Sequence, residues 1–210
     1  MRTIYRKFDK KQIPNLPRVT FPGRIEVVQS YRQVRQAVDF LFSQPILGFD
    51  TETRPCFKRG QSNKVSMLQV STSDICFLFR LNFIGLPQEL CRLLEDCEVL
   101  KVGLALKDDL NNLRKHVSFK DGVFCDLQKK VHEFGIEDQS LQKIYANIFG
   151  QKISKGQQLS NWEADVLTDA QKAYAATDAW ACIRIYEELQ SMQKNGFKLI
   201  EEKEKDFEII

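Results

Sequence analysis

Residues 46–53 read Ile-Leu-Gly-Phe-Asp-Thr-Glu-Thr, an apolar start followed by two carboxylates set one residue apart. The run predicts a buried strand whose polar end holds Asp50 and Glu52. On a strand, residues i and i+2 project from one face, so the two carboxylates emerge side by side at its carboxyl end. Such strand ends are where α/β sheets bind ligands. Two polar residues closing a strand would leave the same signature, and this segment alone does not separate the readings.

Outward from this stretch, the chain alternates strand-like and helix-like runs. Arg24 to Gln29 reads as a strand, and Ser30 with Gln33 forms a capping box for a helix to about Ser43. Val65 to Val70 and Ile75 to Leu81, split by the polar turn Ser71 to Asp74, predict an antiparallel hairpin. A helix follows Pro87, then a strand at Val99 to Leu104, a helix at Lys107 to His116 and a short strand at Val123 to Cys125. The remainder reads mainly as helix. This order describes an α/β sheet with helices on its faces. No Gly-x-Gly-x-x-Gly or Walker phosphate loop occurs, which argues against a dinucleotide or P-loop fold.

Two further acids fall where apolar residues are expected. Thr168 and Gln171 form a capping box for a helix to about Met192, and one stripe of it carries Tyr174, Asp178, Ala181, Cys182, Ile185 and Leu189. Asp178 interrupts that apolar stripe, and a buried carboxylate costs several kcal/mol unless a cation or firm hydrogen bonds compensate it. A metal ion is the simplest compensation; an unseen Lys or Arg partner is the other. Tyr174, one turn earlier, reaches the same place. In Leu106-Lys-Asp-Asp-Leu-Asn-Asn-Leu113, Asp109 lines up with the apolar side, whereas Asp108 reads as a helix cap. Asp126 also reads as a cap.

Gathered at one end of a sheet, Asp50, Glu52, Asp109 and Asp178 would hold about four negative charges in a partly dry site, which repulsion forbids without cations. Two Mg²⁺ or Mn²⁺ ions would balance them, since all-oxygen ligands suit such hard ions. Paired metals are a known device for phosphodiester hydrolysis.

The ordered set Asp50-x-Glu52, Asp109 within Val-Gly-x-x-x-x-x-Asp-x-x-x-Leu, and Tyr174-x-x-x-Asp178 resembles the three motifs of the DEDDy group of DnaQ-like 3′–5′ exonucleases. Phe49-Asp-Thr-Glu-Thr-Arg-Pro55, Lys64-Val-Ser-Met-Leu-Gln-Val70 and Gln158-Leu-Ser-Asn-Trp162 add similarity to the Werner-syndrome-type exonuclease domain, with ribonuclease D next. The histidine subgroup carries His five residues before the last Asp, where this chain has Ala173. The resemblance implies a ribonuclease H-like fold with a five-stranded mixed sheet flanked by helices. It also implies a metal-dependent 3′–5′ exonuclease that releases nucleoside monophosphates from a nucleic acid with a free 3′ end, DNA favoured. Asp50, Glu52 and Asp178 would hold the metal that activates water, Asp50 would bridge to a second metal held by Asp109, and Tyr174 would orient the water. Thr51, Met67 and Leu68 would contact substrate, the last two where the family wedges the terminal base; plain strand core is the other reading of that pair. A ribonuclease D-like RNA exonuclease and a silent nucleic-acid-binding module of the same fold are the rivals.

Composition sets the frame. Of 210 residues, 43% are hydrophobic and 28% charged, ordinary for a folded globular chain, and a net charge of +3 is too small to announce a nucleic-acid binder by bulk charge. Residues 1–23 read as a basic, loosely packed extension, 24–192 as the exonuclease domain and 193–210 as a charged tail. Lys58, Arg59, Lys64 and the basic amino-terminal arm would track phosphates, or form a merely solvated surface. The six scattered cysteines, without a C-x-x-C pair, predict reduced thiols. No run approaches a membrane span or a secretory signal, so the expectation is a cytoplasmic protein without membrane contact. No helicase module follows in this sequence, so a helicase or other repair or processing partner is a further expectation.

Overall fold

The computed structural model describes residues 1–58 and 63–201. Along the chain run β1 (Arg2–Tyr5), a 3-10 turn (Lys10–Asn15), β2 (Arg24–Val28), α1 (Tyr31–Leu41), β3 (Ile46–Thr53), β4 (Val65–Ser71), β5 (Ile75–Phe79), α2 (Leu81–Ile84) and α3 (Gln88–Glu95). There follow β6 (Leu100–Gly103), α4 (Leu106–Leu113), β7 (Phe124–Asp126), α5 (Leu127–His132), α6 (Leu141–Phe149), α7 (Asp169–Asn195) and β8 (Phe197–Ile200).

The central sheet has the order β2-β5-β4-β3-β6-β7. The β3–β4 and β4–β5 pairs are antiparallel, and the hairpin read from the sequence joins the latter two. The outer pairs β2–β5, β3–β6 and β6–β7 are parallel, so the sheet is mixed. Among the described residues it has six strands rather than the five the resemblance implied; β7, only three residues long, is carried at the edge by three register pairs with β6.

Side-chain alternation sorts the strands between two cores. Leu47, Phe49, Leu68 and Val70 face the layer built on α1 to α4, whereas Met67, Cys76 and Leu78 face α5, α6 and α7. Every residue of β4 is buried, as a central strand covered on both faces requires. Where α7 crosses β3 the sequence supplies Gly48: a Cβ there would lie 2.0 Å from the Ala179 carbonyl oxygen. That missing methyl lets the helix rest on the strand and brings Asp178 down beside Asp50.

The capping box of α7 forms as the sequence predicts, with both Thr168 and Gln171 side chains engaged. At α1, Ser30 accepts from the Gln33 amide, but Gln33 Oε1 reaches back one residue further, to the Gln29 amide at 3.0 Å.

The chain ends differ from expectation. Residues 1–23 are not loosely packed: Ile4, Phe8, Ile13 and Phe21 are buried, and β1 pairs in parallel with β8. Asn147 fastens β1 by accepting from the Tyr5 amide at 2.8 Å and donating to the Tyr5 carbonyl at 2.7 Å. Residues 193–200, read as tail, complete α7 and form β8; positions 202–210 lie outside the described residues. All six cysteines are free, with Cys76, Cys91 and Cys182 buried. Among the described residues no helix is long and apolar enough to cross a membrane.

Candidate active site

Asp50 and Glu52 leave the same face of β3, toward α7, because their spacing is two. From the helix side Asp178 descends onto them. One carboxylate oxygen from each of the three lies within 4.8 Å of the others. The Tyr174 hydroxyl hydrogen-bonds the Asp178 carboxylate from one helical turn away. With Thr51, Leu104, Ser154, Lys155 and Gln158 they line a cleft of about 280 Å³.

Among the described residues no ion pair neutralises Asp50, Glu52 or Asp178. Burial pushes Glu52 up to about 10, with Asp50, Asp178 and Asp109 adding repulsion. Asp50 is raised well above the carboxylate range by burial, then by Asp178 and Asp109. Burial lifts Asp178 to about 7 against the Tyr174 hydrogen bond and the positive field of Lys155, both of which lower it. Tyr174 itself is raised by burial and by the carboxylates around it, so its hydroxyl keeps its proton at neutral pH. Clustered hard oxygen donors with excess negative charge fit a divalent cation.

Asp109 stands apart from the three. It is half-buried on α4, whereas Asp108 is exposed, as the helical phase predicts. Its Oδ1 accepts a hydrogen bond from the Thr51 hydroxyl, tying α4 to the strand between the two β3 carboxylates. Burial raises it to about 6; the Thr51 bond lowers it, and Asp108 and Asp126 raise it.

The helix that carries Asp109 is seated by a residue far away in sequence. Asp108 does not cap it: the N-cap is Ala105, at φ 56 in the left-handed region, with no side-chain cap of its own. Asp126 accepts instead from the Ala105 and Leu106 amides at 3.0 and 3.1 Å, while also capping its own helix α5 through Gln128. The sequence assigned Asp126 only the second of these tasks.

Residues 25–194 match the sequence pattern of the 3′–5′ exonuclease family. The chain belongs to that family. It is 32% identical over 190 residues to the bifunctional 3′–5′ exonuclease/ATP-dependent helicase WRN of Mus musculus, covering 85% of this chain and 13% of that protein. The fold is that of the Nibbler EXO domain of Aedes aegypti, with a TM-score of 0.77, 22% identity, and coverage of 86% of this chain and 95% of that one. Escherichia coli RNase D gives a TM-score of 0.72 at 18% identity, over 81% of this chain and 45% of that one. The architecture is therefore the ribonuclease H-like, DEDD-type fold of DnaQ-like exonucleases.

Other expected site residues fall elsewhere. Met67 and Leu68 are fully buried in the two opposite cores, so strand packing accounts for both and neither presents a face to a nucleotide. Lys58 and Lys64 are exposed, and Arg59 lies outside the described residues. Lys155 was not singled out from the sequence. Its segment, Ile153-Ser-Lys-Gly-Gln-Gln158, reads as an ordinary polar loop, and only the folding of that loop over the acids brings the cation to the cleft.

Proposed function

We propose that this domain removes nucleotides from the 3′ end of a nucleic acid by metal-dependent phosphodiester hydrolysis. The observation that carries the reading is the Asp50–Glu52–Asp178 cluster, three ligand oxygens within 4.8 Å with no ion pair among the described residues to neutralise them. Family membership supplies the direction of attack.

In this reading Asp50, Glu52 and Asp178 would hold one Mg²⁺ or Mn²⁺, and Asp109, oriented by Thr51, would help to hold a second. When bound, such ions acidify a water and stabilise the departing 3′ oxygen. The protein's own side chains do the rest. Tyr174 stays protonated, so its hydroxyl donates to Asp178 and offers its lone pair to orient the attacking water. Lys155 places a positive charge on the cleft wall, where a phosphate would otherwise face only carboxylates. Ser154 and Gln158 give neutral polar contacts for the nucleotide. No histidine base is required, and His116 instead contacts the Val65 carbonyl at 2.9 Å.

The DNA preference implied by resemblance gains no support from the fold, since WRN is named a nuclease–helicase and RNase D an exoribonuclease. The substrate class proposed is therefore nucleic acid with a free 3′ end. 5′-labelled DNA and RNA oligonucleotides, each with free and blocked 3′ termini, are incubated with Mn²⁺. The expected result is a ladder shortening one nucleotide at a time from free ends only, abolished by EDTA. Undiminished activity in Asp178→Ala would overturn the assignment, and so would internal cleavage.

A further inference from the structure

Arg80 is fully buried, and among the described residues its guanidinium makes one hydrogen bond: Nη2 donates to the Ala164 carbonyl at 2.5 Å, while Nε and Nη1 have no partner. Its Cζ lies 4.9 Å from the centre of the Phe83 ring. Burial lowers its pKa, and the field of Asp165 opposes that. A buried donor left unpaired costs its desolvation in full, the more so on a charged group, and methionine would fill the position without that penalty. Stability alone does not account for an arginine here. Arg80 follows Phe79, and the register Phe79–Leu68–Thr51 sets this end of β5 level with the carboxylates of β3.

The carbonyl it holds belongs to a segment with three further ties. Gln171 Nε2, at the start of α7, donates to the Asn161 carbonyl at 3.2 Å. Arg54 Nη1 donates to Glu163 Oε2 at 3.1 Å, and Ser66 Oγ to Glu163 Oε1 at 3.5 Å. Between these ties sits Trp162, fully buried, whose indole Nε1 has no partner among the described residues. No hydrogen bond of its own fixes the ring, so the backbone on either side and the packing around it set its place. Its centroid is 6.0 Å from that of Tyr174.

We propose that Arg80 is a positioning residue for Tyr174: by anchoring the Ala164 carbonyl it braces residues 161–164, and through Trp162 it holds the tyrosine hydroxyl on the Asp178 carboxylate. The inference rests on the exonuclease reading above and concerns how its water-orienting side chain is braced. The residue type suits the task. Arginine is long enough to reach from the end of β5 to the loop ahead of α7, and its charge strengthens the bond to a neutral carbonyl. A residue that acts only through Tyr174 costs no more, when removed, than the Tyr174 hydroxyl itself.

That bound supplies the test. Arg80→Met, which keeps the bulk and removes the donors, and Arg80→Lys are made in wild type and in Tyr174→Phe. Far-UV circular dichroism reports the fold, and kcat and KM are measured on an oligonucleotide at saturating Mn²⁺. In wild type Arg80→Met should lower kcat by at least about 3-fold, and by no more than Tyr174→Phe does, with KM held. Arg80→Lys, which keeps a charged donor, should recover part of that loss. In the Tyr174→Phe background Arg80→Met should cost less than about 2-fold, because groups that act as a unit are not additive. Glu163→Gln loosens the same segment at a partly exposed ion pair, where folding is not at stake, and its smaller loss should vanish in Tyr174→Phe in the same way. Undiminished kcat in Arg80→Met, a loss larger than that of Tyr174→Phe, or an equal factor in both backgrounds would overturn the proposal. Should Arg80→Met not fold, an equal factor in both backgrounds for Arg80→Lys or Glu163→Gln overturns it instead. A wild-type chain without exonuclease activity would remove the reading on which the proposal rests.

Discussion

Gly48 and Ala179 are in backbone contact, so close that any Cβ on residue 48 would stand 2.0 Å from the Ala179 carbonyl oxygen. This one approach sets the distance between strand β3 and helix α7, and hence between Asp50 and its neighbour in space, Asp178. Gly48→Ala must push α7 away, because the obstructing atom is backbone and has no rotamer to change. Overpacking of this kind costs about 1–3 kcal/mol and occasionally more. Chemical denaturation should show a loss at or above the top of that range, and Mn²⁺ binding should weaken along with it.

Asp178→Asn separates catalysis from stability. Removing one of three crowded carboxylates relieves repulsion, so the metal-free variant should melt above the metal-free wild type. The same change deletes a ligand oxygen's charge, so exonuclease activity should fall by more than the roughly 100-fold expected for losing a supporting hydrogen bond. Stabilisation by Mn²⁺, clear in wild type, should be largely lost in thermal-shift measurements.

The stability of the metal-free protein should fall as pH rises. Folding lifts Asp109 to about 6, Asp178 to about 7 and Glu52 to about 10. Unfolded carboxylates titrate near about 4, so between there and the folded values the native chain binds more protons than the unfolded one. Stability contributed by the protonated forms is therefore complete below about pH 4 and is lost progressively through pH 6 and 7 and beyond. Urea midpoints in EDTA should be lower at pH 8 than at pH 5.5. Adding Mn²⁺ should flatten or reverse that slope, because the ion favours the ionised cluster.

Tyr174→Phe tests orientation while leaving every ligand carboxylate in place. The ring packs near Trp162, with centroids 6.0 Å apart, and Phe keeps that contact. Positioned proton donors and acceptors contribute about 100-fold or more to a rate. At saturating Mn²⁺ the variant should lose kcat by at least about 10-fold, Mn²⁺ affinity should fall by no more than the roughly 10–100-fold carried by a hydrogen bond to a ligand carboxylate, and far-UV circular dichroism should match wild type. Since the native hydroxyl is held protonated, the wild-type rate should show no alkaline limb from tyrosine ionisation near pH 10.

The sequence by itself determined which side chains were chemically out of place. A spacing of two put Asp50 and Glu52 on one strand face, a spacing of four put Tyr174 over Asp178, and helical phase chose Asp109 over Asp108. These are short-range relations, set by backbone periodicity, and the structure keeps every one of them. The capping box at Thr168 and the β4–β5 hairpin were legible for the same reason. Only the tertiary structure decided what those residues meet. It joined Thr51 to Asp109, handed the capping of α4 to Asp126, and folded a polar loop so that Lys155 faces the acids. It also took Met67 and Leu68 into opposite cores and bound the two chain ends together as β1 and β8. Apart from Met67 and Leu68, neighbours that strand alternation sends to opposite faces, the groups brought together here are distant in sequence. Their contacts depend on strand order and helix crossing, which the summed burial of both cores fixes and no local pattern of residues encodes.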